Sequence, residues 1–306
     1  MIVRSMQLAG AQKCAEAQSE LAAIPDAARD ADHARYAVAE CYVKQTQWNQ
    51  AEPILQLLLR RSPAYNPALF LQGYLLFRTR RYDESLRLIS NYLELTPDNG
   101  EAHKIRGLDY FMLNQSREAE QEIKRAAELN SSDPDAYYYL GRLYFTRKDM
   151  LAALETFRRT IELSPSSVKA YNQLGQTYEG LAEFVPARQA YLKAIELEQR
   201  QQEKSQWPYY NLGLLCLREG QSQEAINYLR QSELRNPKWA DAKVKLAMAL
   251  LDADKIDEAS AKLREAVAID SGNADVHYQL GRVLSKMGEK EEARQHFLLF
   301  RKLEKR

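Results

Sequence analysis

Apolar residues along this chain recur at helical rather than strand spacing. Within residues 134–167, Tyr137, Leu140, Gly141 and Tyr144 fall at i, i+3, i+4 and i+7, one face of an α-helix. Lys148 and Asp149 interrupt the stripe, and Ala153, Phe157 and Ile161 resume it at i, i+4 and i+8. Asp133 before Pro134 predicts an N-cap followed by proline in the first turn, and Ser164-Pro165 predicts the end of the second helix. The segment thus predicts two amphipathic helices joined by a short polar turn.

This layout repeats. Small residues stand at Ala39, Gly73, Gly107, Gly141, Gly175, Gly213, Ala247 and Gly281, at intervals of 34, 34, 34, 34, 38, 34 and 34. A second series follows twelve residues behind at Ala51, Ser85, Ala119, Ala153, Ala187, Ala225, Ala259 and Ala293. Glycine inside a helix costs about 1 kcal/mol relative to alanine, so its recurrence predicts close contact between the paired helices. No such hairpin buries its apolar faces alone, which predicts an all-α solenoid stabilised by stacking. The length of 306 residues would otherwise suggest about two globular domains. The register divides the chain into a capping helix and linker (1–31) and eight units: 32–65, 66–99, 100–133, 134–167, 168–205, 206–239, 240–273 and 274–306.

With Tyr171, Leu174, Gly175, Tyr178, Ala187, Tyr191 and Ala194 in one unit, and Tyr209, Leu212, Gly213, Ala225 and Pro237 in the next, the pattern resembles the tetratricopeptide repeat. Pro63, Pro97 and Pro165 supply the same inter-repeat proline, and the likeness covers residues 32–306. Arg35 and Lys243 stand where the family usually has an aromatic. The resemblance implies a right-handed superhelix with first helices lining a concave groove that receives an extended or helical peptide. Carried over by position, the groove residues are Tyr36, Phe70, Tyr74, Lys104, Tyr138, Tyr139 and Arg142. Later units add Asn172, Gln176, Tyr210, Asn211, Tyr278 and Arg282. Tyr and Arg offer large contact area with polar tips, and Asn and Gln can bond a peptide backbone of any sequence.

Two groove chemistries of the family are absent. A carboxylate clamp needs Lys then Asn on one first helix, but Lys104 is followed by Leu108. An asparagine ladder needs Asn at the sixth position of most first helices, where only Asn211 is found. Two local irregularities remain. The stretch Glu198–Lys204 adds four residues, expected to prolong a second helix by about one turn. Residues 6–24, with Ala17, Leu21 and Ile24 in register, predict a single helix capping the first unit, while Phe297, Phe300 and Leu303 are expected to be partly covered in the last helix.

Composition narrows the function classes. Forty-three basic residues offset forty-two acidic ones, which does not describe a nucleic-acid binder, and no apolar run reaches the length of a membrane span. Cys14, Cys41 and Cys216 are far apart, so neither a disulfide framework nor a zinc spacing is expected. The default is a cytoplasmic chain, although helical sequence begins almost at residue 1 and leaves a leader or further domain open. Under that default the tripeptides Asn114-Gln115-Ser116 and Asn130-Ser131-Ser132 are not read as glycosylation sites. His103 and His277 occupy packing positions five units apart, carboxylates such as Glu289 read as outer-face partners of cations such as Arg294, and no nucleophile–base motif occurs. The expectation is a non-enzymatic scaffold without cofactor or metal, binding a protein or peptide ligand, not nucleic acid and not inserted in a membrane. It would be a monomer or weakly self-associating end to end. The alternatives are an assembly subunit using convex or end surfaces, and a regulatory module of a larger enzyme or membrane-tethered protein.

Overall fold

The computed structural model describes residues 1–25, 30–202 and 204–304, and among these every regular element is helical. The chain divides into two compact units, residues 1–143 and 144–306. The first holds α1 (Ile2–Gly10), α2 (Cys14–Ala22), α3 (Ala31–Lys44), α4 (Trp48–Arg61), α5 (Asn66–Arg78), α6 (Tyr82–Leu95), α7 (Gly100–Met112) and α8 (Ser116–Leu129). α9 (Pro134–Thr146) carries the chain onward to α10 (Met150–Leu163), α11 (Val168–Gly180), α12 (Phe184–Gln199) and α13 (Trp207–Arg218). α14 (Ser222–Arg235), α15 (Ala240–Asp252), α16 (Ile256–Ile269), α17 (Ala274–Met287) and α18 (Lys290–Leu303) follow.

The recurrent glycines mark contact between the two helices of a hairpin. A Cβ added to Gly107 would lie 2.6 Å from Ile123 Cγ1, one on Gly213 2.7 Å from Leu229 Cγ, and one on Gly281 2.9 Å from Phe297 Cε1. In each case the obstacle is a large side chain sixteen residues later, pressed onto bare backbone. Asp133 accepts a hydrogen bond from Asp135 N (2.9 Å), as its place before Pro134 predicts. The core runs along the array: in the second unit one apolar cluster extends from Ala187 on α12 to Ala293 on α18.

The amino-terminal end differs from the expected lone helix. α1 and α2 form a short hairpin of their own, turning at Gln12 with φ of 60°. Ser5 donates from Oγ to Ala17 O (2.8 Å), and both residues are fully buried. Ser5 and Ala17 lie 34 residues before Ala39 and Ala51, so both small-residue series begin one period earlier than read. The linker expected up to residue 31 falls partly on 26–29, outside the described residues.

This hairpin also overturns the reading of the cysteines. Cys14 on α2 and Cys41 on α3 form a disulfide, with Cα atoms 5.6 Å apart. Cys216 is free and buried, and burial pushes its thiol up to about 11. The insertion is smaller in helical terms than expected. α12 has 16 residues against 14 for α10 and α14, so it gains half a turn rather than one. Of the remaining inserted stretch, Glu203 lies outside the described residues. Phe297, Phe300 and Leu303 are each partly covered.

Candidate interaction surfaces

In the first unit, first-helix aromatics gather arginines. Arg78 donates from Nη1 to the Tyr74 hydroxyl (2.6 Å), and its guanidinium lies 5.5 Å from the Trp48 ring centre and 5.6 Å from that of Tyr74. Arg142 sits 5.0 Å from the Phe111 ring centre and 6.0 Å from that of Tyr139, while Tyr138 meets Tyr139 edge-on at 5.3 Å. Such arrangements hold a cation on an aromatic face while keeping its edges available for hydrogen bonding. Tyr36 is half-buried and points its hydroxyl at Glu40 Oε1 (3.4 Å); burial, then Glu40, push the phenol to about 12. Phe70 packs against Tyr92 at 5.2 Å.

Lys104 is committed within the protein. Its Nζ bridges Glu101 and Asp133, each at 2.7 Å. Burial opposes its charge, but these two carboxylates hold the ammonium above its ordinary range. Arg35 and Lys243, the departures from the aromatic consensus, are buried ion-paired residues. Arg35 meets Asp32 at 2.8 Å, and Lys243 meets Glu233 and, at 2.6 Å, Glu265.

In the second unit Asn172 and Asn211 bond each other instead of facing outward. Asn211 Nδ2 donates to Asn172 Oδ1 (2.9 Å), and the residues are 9% and 5% exposed. Gln176 remains half-buried. Tyr210 belongs to a group that the sequence reading missed. Trp239 lies 4.3 Å from Tyr210 and 4.7 Å from Trp207, centroid to centroid, and Trp207 is 47% exposed. Trp207 lies within the irregular 38-residue step from Gly175 to Gly213, and Trp239 directly precedes a first helix. Two tryptophans near helix starts, one beside the only break in period, were the available signal. Tyr278 and Arg282 lie further along, the guanidinium 5.8 Å from the ring centre.

Tyr209, the neighbour of Tyr210 in sequence, belongs to a buried polar network. Glu198 is fully buried, accepts from Tyr209 (3.0 Å) and from Arg235 Nε (2.8 Å), and Arg235 lies 3.7 Å from the Tyr209 ring centre. Burial alone would raise the Glu198 carboxyl, but Arg235 and Tyr209 hold it below its usual range. Carboxylates are therefore not confined to outer faces. Asp109 is also fully buried, and burial lifts it to about 7. Glu289 pairs with Arg264 (3.2 Å), not with Arg294. His103 contacts Glu122 (2.7 Å) and Pro97 O (2.8 Å), and His277 contacts His296 (2.8 Å). Among the described residues no group of three or more His, Cys, Asp or Glu is placed to hold a metal ion. No helix there is long and apolar enough to cross a membrane.

Tandem helical hairpins with aromatic and arginine-bearing first helices define a solenoid of the kind that serves as a protein-interaction scaffold. Family models of the tetratricopeptide repeat match residues 39–100, 105–168 and 210–274, as well as 168–201 and 250–299. The chain belongs to the tetratricopeptide repeat family. Among solved structures it is similar to a tetratricopeptide repeat protein from Parabacteroides merdae, at 16% identity and a TM-score of 0.64 over 83% of this chain and 98% of that one. It is also similar to pilF of Pseudomonas aeruginosa, at 20% identity and a TM-score of 0.60 over 67% of this chain and 91% of that one. Cut9–Hcn1 of the APC/C gives 17% identity and a TM-score of 0.61 over 99% of this chain and 60% of that one. At these identities the likeness shows the fold alone. No curated protein sequence matches the chain.

Proposed function

We propose that the chain is a non-enzymatic scaffold that holds an extended peptide or a partner helix along its first helices. The observation that carries this reading is the cluster of Trp207, Tyr210 and Trp239, packed ring on ring with Trp207 47% exposed. Preorganised aromatic rings provide contact area at little entropic cost, the chemistry of an interface anchor. In the first unit, Tyr74 with Arg78 and Tyr139 with Arg142 add pairings of ring and cation. Asn172, Asn211 and Lys104 have a structural part in this reading, since their polar groups are engaged internally. Peptides selected from a random phage library test it. Trp207→Ala with Tyr210→Ala is expected to weaken the selected peptides at least about tenfold; unchanged affinity would remove the cluster from the site.

The Cys14–Cys41 bond supports a second element of this reading, namely work in a compartment that sustains disulfides rather than in the cytoplasm. Thiol labelling of denatured protein taken from its native cells is the check. One reactive thiol, Cys216, is expected, and three would return the chain to a reducing compartment.

A further inference from the structure

Helices α17 and α18 enclose a hollow of about 550 Å³ whose lining includes Tyr278, Phe297, Phe300, Lys290, Arg294 and Arg301. Tyr278 lies 5.1 Å from Phe300, centroid to centroid, and the adjoining Leu298 and Leu299 are 55% and 41% exposed. The 34-residue register tells what this surface of a hairpin receives. One period earlier, Tyr278, Phe297 and Phe300 correspond to Val244, Leu263 and Ala266, all buried in the cluster that continues into α17. The face is shaped to pack a helix.

The same register shows how this hairpin departs from its predecessor. Lys290, Arg294 and Arg301 stand where the preceding hairpin has Ile256, Ser260 and Val267. Ile256 and Val267 pack against the core and Ser260 is buried. Leu298 and Leu299 replace Arg264 and Glu265, which are ion-paired. Cations have moved to the stacking face and leucines to its outer edge. No carboxylate lines the hollow, and none of the three cations has an ion-pair partner among the described residues.

We propose that this face docks an amphipathic α-helix of a partner protein, with an apolar stripe flanked by acidic residues. The stripe covers Tyr278, Phe297, Phe300 and Leu298, and its carboxylates meet Lys290, Arg294 and Arg301. Apolar burial supplies most of the affinity, and the charges fix orientation and steer encounter. A second copy stacked head to tail does not satisfy the same chemistry. The exposed apolar residues Met1, Val3 and Met6 belong with α1, which has no acidic residue, and the nearby Glu20 and Glu16 of α2 are ion-paired with Arg4 (3.2 Å) and Lys13 (3.3 Å). Such stacking would bring the three cations no carboxylate that is not already paired.

The test uses two synthetic helical peptides with one leucine stripe, flanked by Glu in one and by Lys in the other, followed by fluorescence anisotropy. The Glu peptide is expected to bind, and to bind less well as salt rises. Arg294→Glu with Arg301→Glu, both at exposed positions, is expected to weaken it at least about tenfold and to admit the Lys peptide. Circular dichroism confirms that the variant retains its helices. Absence of Glu-peptide binding, equal binding of the two peptides, or an unaffected double variant would each overturn the proposal. Concentration-dependent self-association abolished by the same double variant would also overturn it and assign the face to a second copy. Trp207→Ala and Tyr210→Ala are expected to leave this binding unchanged, so this proposal and the first-helix reading fail separately.

Discussion

Asp109 is the residue whose chemistry departs most from its position. The same place in the two neighbouring first helices holds Leu75 and Leu143, both buried. Asp109 has one carboxyl oxygen without a partner among the described residues, and its other lies 2.7 Å from Ser85 Oγ. That hydroxyl is also 3.0 Å from Gly73 O, and its single proton cannot serve both acceptors. A protonated Asp109 resolves the conflict by donating to Ser85, which donates to Gly73. Because folding raises this carboxyl from 3.8 to about 7, its contribution is fully present below pH 3.8 and is lost as pH rises through 7. The full cost is on the order of 4 kcal/mol. Asp109→Asn is expected to raise the denaturation midpoint at pH 8, with little effect at pH 4, as measured by urea titration at both values. Equal pH dependence in the two proteins would place the proton elsewhere. None of this was legible beforehand, because an aspartate inside an amphipathic stripe does not announce its burial. Asn172 and Asn211 illustrate the same limit. Their positions on first helices were readable, but their mutual hydrogen bond depends on how neighbouring hairpins face each other.

Among elements, the inter-helix turns are as periodic as the helices. Gln12, Thr46, Arg80, Asn114, Lys148, Ala182, Gly220, Asp254 and Gly288 all have positive φ, between 57° and 84°. Their spacing is 34 residues throughout, except the 38 from Ala182 to Gly220. Each turn needs a left-handed residue, and only two supply glycine, for which that conformation is unstrained. Thr46, β-branched at φ 57°, is the least suited to it. Thr46→Gly is expected to stabilise the chain by about 1 kcal/mol in chemical denaturation; a loss of stability would mean that the threonine side chain compensates. The helices were legible because apolar spacing and Gly-to-large-residue contacts act locally. The α1–α2 hairpin was not, because its helices have nine residues each and its small residues are Ser5 and Ala17, not glycine. Reading the period backward from Ala39 and Ala51 would have found it.

At the scale of the whole chain, the disulfide joins residues 27 apart in sequence, a separation that says nothing until both helices are placed in register. Cys14 and Cys41 then occupy positions that one period later are Trp48 and Leu75, members of one packed cluster. A covalent bond stands where the next hairpin has apolar residues. Chain-entropy reasoning gives it about 3.5 kcal/mol for a loop of this length. In a repeat array that stabilisation stays close to where it is applied. Reduction is expected to weaken amide protection in α1–α4 and to leave α15–α18 unchanged, as read by hydrogen exchange. A uniform loss would mean that the array unfolds as one body.

The stitch between α2 and α3 also gives the array a direction. Hairpins at the ends of a stack have one neighbour instead of two, so opening ordinarily begins at either end. Sewing α2 to α3 leaves, among the described helices, the α17–α18 hairpin as the easier place to start. Under heat or tension the chain would then behave as a zip with a fixed foot, peeling back one period at a time toward the bond. A sequence of near-identical steps thereby acquires an order in which they are lost.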